Sequence, residues 1–319
     1  MHVAFLTPLG GLVALLALPA LLVLRASDRR SRSLAAALGL RPAGSATTAV
    51  PALALALAGI LAGLAAAQPV MARTGERTGR TDAEVVFVFD ITRSMLASAK
   101  PGLPTRFDRE RRLAKELRGA FPEVPFGIAS LTDRVLPHLF PTTSANVFAA
   151  TLDHALGIEL PPPDRSGNKV TALGAIVALA TNNFFGDAAR RRLAVVFTDG
   201  ESLAVDAGTL RARFFQARIV PFFVQLWGSD ERVFRPGGTA EKYRPDPAAA
   251  PLLAELAETL DGRVFAERDG ARLVAAARAV LGTGPVGPQG RELSSLQLAP
   301  YLALALVLPL ALLLWRRNI

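Results

Sequence analysis

Three stretches of the chain are apolar throughout and contain no charged residue. They cover residues 8–24, 49–67 and 298–315. About 20 apolar residues are needed to cross the hydrocarbon core of a bilayer, and a buried helix of a soluble protein is usually shorter. We therefore predict three transmembrane helices, at residues 1–24, 49–68 and 298–315.

Between the second and third apolar stretches, short apolar runs alternate with amphipathic segments. The apolar runs predict strands at residues 84–90, 126–131, 135–140, 193–198, 219–226 and 263–266. The amphipathic segments predict helices at residues 106–121, 144–156, 171–182, 207–216, 248–260 and 271–281. Strands and helices alternate, apart from a hairpin formed by the second and third runs. This order predicts an α/β fold with a doubly wound, mostly parallel sheet over residues 82–281, followed by a flexible linker at 282–297.

Arginines beside the apolar stretches predict how the chain is oriented in a membrane. Seven lie on one side and four on the other: Arg25, Arg29, Arg30, Arg32, Arg41, Arg316 and Arg317, against Arg73, Arg77, Arg80 and Arg291. Short cytoplasmic loops accumulate arginine and lysine. Residues 25–48 are therefore predicted to be a basic cytoplasmic loop, and the α/β region to lie outside the cytoplasm. The start of the chain lacks the basic segment of a secretory signal, which favours an uncleaved anchor; cleavage after the small residues 65–67 is an alternative.

Composition supports a membrane protein and excludes several kinds of site. The 319 residues are 51% apolar and carry a formal charge of +9. A basic chain can indicate a nucleic-acid partner, but ten arginines beside the apolar stretches, less two nearby acidic residues, account for +8 of this charge. We therefore assign the charge to lipid headgroups and to topology, with docking of a cytoplasmic protein as a lesser alternative. The absence of cysteine excludes disulfides and thiolate metal sites, and only three histidines are present.

Oxygen-bearing side chains follow the ends of the predicted strands. Asp90, Thr92 and Ser94 follow the first strand, Asp199 follows the strand at 193–198, and Thr171 begins a predicted helix. Ligands of doubly wound sheets bind where neighbouring strands send their connections to opposite faces. Carboxylate and hydroxyl oxygens suit a hard cation, so this pattern predicts Mg²⁺, with Mn²⁺ or Ca²⁺ as alternatives.

These residues resemble the metal-ion-dependent adhesion site of von Willebrand factor A domains. The family pattern is Asp-x-Ser-x-Ser, a distant Thr, and an Asp in a Thr-Asp-Gly turn; the chain differs only in having Thr92 in place of the first serine. The resemblance covers residues 82–281 and implies a non-enzymatic site. It implies that hydroxyls bind the metal directly, that the aspartates act partly through water, and that a protein partner's acidic side chain completes the coordination. Arg93 and Glu201 are then candidates for contact with that partner.

The layout of the whole chain resembles bacterial membrane proteins of the Bat (aerotolerance operon) type. The resemblance implies a multi-pass protein of the inner membrane with the α/β domain in the periplasm. It also implies an envelope assembly or stress-related complex containing other Bat-type proteins or a MoxR-type AAA+ ATPase.

Two alternatives to metal-dependent partner binding stay open. One is a metal-dependent hydrolase using Asp90 or Asp199, and the other is a structural membrane subunit with an empty metal site. A haloacid-dehalogenase-like phosphotransferase is disfavoured, because Thr92 stands where that class has its general acid. The chain also lacks a Gly-rich phosphate loop of the G-x-G-x-x-G or G-x-x-x-x-G-K-[ST] kind.

Overall fold

The structure is a computed structural model that describes residues 2–39, 46–160, 162 and 171–317. In chain order the strands are β1 His2–Phe5, β2 Pro69–Arg80, β3 Ala83–Asp90, β4 Phe126–Leu131, β5 Val135–Thr142, β6 Arg191–Thr198, β7 Ile219–Gln225, β8 Arg263–Ala266 and β9 Val286–Gln297. The α-helices are α1 Ala17–Ala37, α2 Ala46–Ala66, α3 Arg106–Gly119, α4 Ala145–His154, α5 Ala178–Thr181, α6 Ala207–Ala217, α7 Ala249–Thr259, α8 Gly270–Leu281 and α9 Ala299–Arg317. The chain divides into two compact units, one formed by Met1–Gly75 with Arg291–Ile319 and the other by Glu76–Gly290.

The first unit contains the apolar helices. A 3-10 helix, Pro8–Leu16, leads directly into α1. By length and composition, two of the described helices could cross a membrane, Pro8–Ala37 and Ala49–Ala66. The third apolar stretch is helical as predicted, but its apolar part, Ala299–Trp315, is shorter. At 1.5 Å per residue it covers about 26 Å, less than the roughly 30 Å of a hydrocarbon core. The structure thus supports two such helices rather than the predicted three.

Glycines allow α2 to approach the N-terminal helical segment closely. A Cβ atom added at Gly63 would lie 2.7 Å from the Cβ of Ala14, and one added at Gly59 would lie 2.5 Å from that of Ala17. Both distances are shorter than real Cβ contacts. Small residues four positions apart are a common means of packing apolar helices, because they let the backbones come together.

Two predicted connections have regular structure. The predicted loop at 25–48 is helical as far as Ala37, because its alanines, leucines and arginines favour helix and Arg32 pairs with Asp28 at 2.7 Å one turn earlier. Its Arg41 lies outside the described residues. The predicted linker at 282–297 contains β9, which belongs to a three-stranded sheet in the order β1-β2-β9. Its Gly and Pro content conceals a strand that depends on distant partners.

The second unit has the predicted doubly wound sheet. Its six strands lie in the order β5-β4-β3-β6-β7-β8, and all neighbours are parallel except the hairpin β4–β5. Apolar side chains of α3, α4 and α8 cover one face, and those of α5, α6 and α7 cover the other. Both faces of the central strands are buried, which explains their continuous apolar sequences. The predicted helix at 171–182 is less regular, consisting of a 3-10 turn, Leu173–Val177, followed by α5.

Phenylalanines fill the core below the carboxyl ends of β3 and β6. Phe89 and Phe197 lie opposite each other in the parallel register, and their rings stack with centroids 5.1 Å apart. Phe87 makes edge contacts with Phe126 and Phe148. These ring contacts fix the ends of β3 and β6 relative to each other.

Candidate metal centre

The ends of β3 and β6 form the crevice of the sheet. After β3 the chain continues to α3 on one face, whereas after β6 it continues to α6 on the opposite face. Asp90 is the last residue of β3, and Asp199 directly follows the last residue of β6; both are 0% exposed. The sheet topology therefore places the two carboxylates at the position where doubly wound folds bind ligands.

Asp90 accepts hydrogen bonds on both carboxylate oxygens. Its Oδ1 accepts from the backbone N–H of Thr92 at 3.0 Å and from the Thr92 hydroxyl at 2.6 Å. Its Oδ2 accepts from the hydroxyls of Thr171 at 2.9 Å and Thr198 at 2.8 Å. Asp90 thus gathers hydroxyls from three separate parts of the chain.

Three hydroxyls lie together beside Asp90. The Thr92 Oγ1 is 3.2 Å from the Ser94 Oγ and 3.0 Å from the Thr171 Oγ1. Thr171 is held in place by a parallel bridge to Ser202. Neighbouring oxygens of an octahedral Mg²⁺ site, with bonds of about 2.1 Å, are roughly 3.0 Å apart. The observed spacing of the hydroxyls fits such a site.

The second carboxylate, Asp199, accepts a hydrogen bond on each oxygen. Its Oδ1 accepts from the backbone N–H of Glu201 at 2.9 Å, and its Oδ2 accepts from Arg106 at 2.9 Å. Gly200 turns the chain after Asp199 with a φ of +88°, and an added Cβ would lie 3.0 Å from the backbone oxygen of Ala249. Glycine is therefore needed in this turn.

Arg106 is a buried cation that sequence analysis did not identify. It is 0% exposed and donates hydrogen bonds to Asp199, to Glu231 at 2.6 Å and to the hydroxyl of Tyr243 at 2.9 Å. It is the first residue of α3, whose start is defined by a reciprocal capping box between Thr105 and the residue three positions later. The sequence shows the Thr and Asp of the capping box, three positions apart, but it does not show that the arginine next to this threonine is buried.

Burial shifts the proton equilibria of the acidic groups. It raises the pKa of Asp90 to about 7, an effect increased by the charge of Asp199 and opposed by the hydrogen bonds from Thr92 and Thr198. Burial also raises the pKa of Asp199, although Arg106 opposes the rise. A divalent cation favours the ionised form of both carboxylates, so metal binding at this site would release protons.

A third carboxyl group, that of Glu110, lies in the interior on α3. It is 0% exposed, and within the described part of the chain neither oxygen has a hydrogen-bond partner. Burial raises its pKa well above the usual value, and the charges of Asp90 and Asp199 add to this effect.

The two predicted partner-facing residues lie beside the hydroxyls. Arg93 and Glu201 help to line a cavity of about 200 Å³ that also includes Thr92, Ser94, Thr171, Val233, Glu241 and Tyr243. The guanidinium of Arg93 is paired with both carboxylate oxygens of Glu241. Glu201 accepts hydrogen bonds from the Tyr243 hydroxyl at 2.6 Å and from a backbone N–H. The structure thus brings all seven predicted site residues to one edge of the sheet.

The donor set suits a cation that accepts hydroxyl ligands. Within the described ranges, no group of three or more His, Cys, Asp or Glu side chains is arranged to hold a metal. A cation at this edge would therefore depend on Thr92, Ser94 and Thr171 together with the two aspartates. Mg²⁺ and Mn²⁺ accept such hard oxygen ligands and retain water in the remaining positions.

The sheet topology and the arrangement of these residues give the chain a von Willebrand factor A-like fold. Its six-stranded sheet is doubly wound and mostly parallel, as predicted, and the predicted motif lies at the carboxyl ends of β3 and β6. No protein-family model and no curated protein matches the sequence.

Solved structures of Bat-type proteins have the same fold. BatB from Bacteroides thetaiotaomicron matches with a TM-score of 0.52 and 18% identity, over 63% of this chain and 100% of that one. An aerotolerance-related membrane protein from Bacteroides fragilis matches with a TM-score of 0.51 and 21% identity, over 62% and 98% of the two chains. Over the matched part of the chain, this protein therefore has the fold of these two Bat-type structures.

Proposed function

We propose that this chain is a membrane-anchored module that binds a protein partner through a Mg²⁺-dependent adhesion site. Asp90, Thr92, Ser94, Thr171 and Asp199 hold the cation, with Mn²⁺ or Ca²⁺ as substitutes. When bound, the cation supplies positive charge and an open coordination position for a partner's carboxylate. Arg93 and Glu201 lie beside that position and contact the partner.

The observation that carries this proposal is the spacing of the hydroxyl oxygens. Thr92 lies 3.2 Å from Ser94 and 3.0 Å from Thr171, although Thr171 is 79 positions away in the chain. The three hydroxyls and two buried carboxylates bring several oxygen ligands close together. Such a set of ligands favours the binding of a small, hard cation.

The same contacts favour binding over hydrolysis. A nucleophilic or basic carboxylate needs a free lone pair directed at its substrate. Asp90 accepts four hydrogen bonds, so its lone pairs are engaged and it would act on a cation by positioning the hydroxyls and through water. Asp199 accepts one hydrogen bond on each oxygen, one of them from the cation Arg106, which opposes its action as a base. These carboxylates are arranged to hold neighbouring groups in place.

The setting we propose is the bacterial inner membrane, with the α/β domain in the periplasm. The arginines that follow the first apolar stretch support this orientation. In such a topology a cytoplasmic MoxR-type ATPase reaches the protein through the basic residues of α1, whereas other Bat-type proteins can meet the metal site directly.

Metal binding and partner capture can be tested on the full chain in detergent. We expect Mg²⁺ to bind the wild type, and Thr171→Val to abolish binding because it removes a hydroxyl ligand. Thr181→Val is the matched control, since Thr181 is an exposed threonine of α5. A pull-down from membranes should recover a partner with Mg²⁺, but not with EDTA or with Thr171→Val. Partner capture that persists in EDTA would contradict the proposal.

Orientation can be tested with introduced cysteines, because the natural chain has none. Ser31→Cys on α1 and Ser229→Cys after β7 replace exposed serines. A membrane-impermeant maleimide applied from the periplasm should label position 229 and leave position 31 unlabelled until the membrane is opened. The reverse pattern would overturn the proposed topology.

A further inference from the structure

A hairpin-like segment covers the hydroxyl cluster. Residues 231–243, which we call the arch, lie between β7 and α7. The backbones of Ser98 and Arg232 exchange hydrogen bonds of 3.0 and 2.9 Å, and the N–H of Glu241 donates to the carbonyl of Val233 at 2.8 Å. Gly237 and Gly238, with φ values of +99° and +84°, form its tip. The arch is therefore an ordered element attached to the loop that carries Thr92 and Ser94.

The arch forms one wall of the cavity above the hydroxyls. Val233, Glu241 and Tyr243 face Thr92, Ser94 and Thr171 across the space of about 200 Å³. A carboxylate approaching these hydroxyls has to enter that space. The wall of the arch already presents a carboxylate there, that of Glu241.

The planar guanidinium of Arg93 makes two hydrogen bonds to this carboxylate. Its Nε donates to the Oε2 of Glu241 at 3.1 Å, and its Nη2 donates to the Oε1. The Glu241 side chain is only 15% exposed, and the Nε of Arg235 lies 3.7 Å from its Oε1. Two-point pairing of guanidinium with carboxylate is stronger and more selective than a single contact. Arg93 lies between Thr92 and Ser94 in the chain, so the group that pairs with Arg93 also lies next to these two hydroxyls.

We infer that the Glu241 carboxylate occupies the place beside Arg93 that a partner's carboxylate would take. The partner's carboxylate must displace Glu241 from Arg93 before it can reach the hydroxyl cluster. This inference rests on the proposed function, since it concerns the same site. Arg93 then determines specificity for a carboxylate, and the arch keeps the site closed until a competing acid arrives. The partner is defined by chemistry: it presents an exposed Asp or Glu on a segment narrow enough to enter beside the arch.

The opening of the arch can be measured without a metal. Hydrogen–deuterium exchange of the full chain in detergent should show faster exchange across residues 231–243 in Glu241→Gln and in Arg93→Gln, by about fivefold, the scale of one partly exposed ion pair. Glu258→Gln is the matched control, because Glu258 is an exposed glutamate of α7. Unchanged exchange in both variants would overturn the inference.

Competition can be measured with a small acid. N-acetylglutamate amide is added to the Mn²⁺-loaded chain, and relaxation of its protons by Mn²⁺ reports its binding; N-acetylglutamine amide is the uncharged comparison. We expect Glu241→Gln to bind the acid about fivefold more tightly than the wild type and Arg93→Gln to bind it more weakly. Equal binding by Glu241→Gln and the wild type would refute the inference that Glu241 blocks the site, but would leave the proposed metal site standing. An absence of relaxation in every variant would instead refute the proposed metal site.

Discussion

The buried guanidinium of Arg106 offers a quantitative test of how the site is held together. Its side chain is fully buried and lies 2.9 Å from Asp199 and 2.6 Å from Glu231. In Arg106→Met, the apolar portion of the side chain is retained while Asp199 loses its cation; Glu231 keeps a second cation, Arg109, at 2.6 Å. Removing one partner of a buried ion pair typically costs about 3–5 kcal/mol, because the charge left behind has no compensation.

This loss should be visible as a fall in melting temperature. The unit Glu76–Gly290 is large enough that 1 kcal/mol corresponds to about 2–4 °C, so we expect Arg106→Met to melt roughly 6–20 °C lower. Thermal unfolding of the full chain in detergent, followed by tryptophan fluorescence, measures the change. Adding Asp199→Asn to Arg106→Met should restore part of the loss, because it removes the charge that Arg106 compensated.

A control on the same helix separates the ion pair from a general effect on α3. Arg112 is 58% exposed at its side chain and makes a single contact of 3.4 Å to Glu267. Arg112→Met should therefore change stability by no more than about 0.5 kcal/mol. If Arg106→Met melts as Arg112→Met does, then Arg106 does not stabilise Asp199, and the account of the site given above is wrong.

Three further changes test the site and the helix packing. Without metal, stability should fall as the pH rises: the pKa of Asp90 lies at about 7 in the fold, above its usual 3.8, so its contribution is complete below 3.8 and is lost as the pH passes 7. Asp90→Asn should flatten this dependence in thermal unfolding with EDTA between pH 5 and 8. Gly63→Leu should lower the thermal stability of the apolar helices, whereas Gly11→Leu should have little effect, because an added side chain at Gly11 meets open space. Gly200→Ala should destabilise the α/β unit by about 1 kcal/mol more than Gly102→Ala in chemical denaturation, since both have positive φ but only Gly200 faces a nearby carbonyl; equal effects would contradict the contact.

Features expressed in local hydrophobic pattern were predictable. The strand predicted at 84–90 is observed as Ala83–Asp90, and the hairpin at the sheet edge is confirmed. Both faces of a central parallel strand are buried, so the middle of the strand, residues 85–89 in this case, is apolar throughout and the run is visible in the sequence. The strands β1, β2 and β9 were not predicted. β1 has only four residues, β2 and β9 contain polar residues and glycines in place of an apolar run, and the pairing of all three depends on residues far apart in the chain.

The site divides in the same way. The sequence alone determined which oxygen-bearing side chains follow the ends of β3 and β6, because parallel strands bring their carboxyl ends to one edge. Only the tertiary structure decided which charges surround them. Arg106 meets Asp199 across 93 positions and Arg93 meets Glu241 across 148. Such pairs leave no local signature, since a buried arginine and an exposed one look alike in a helix until packing determines which of them loses its water.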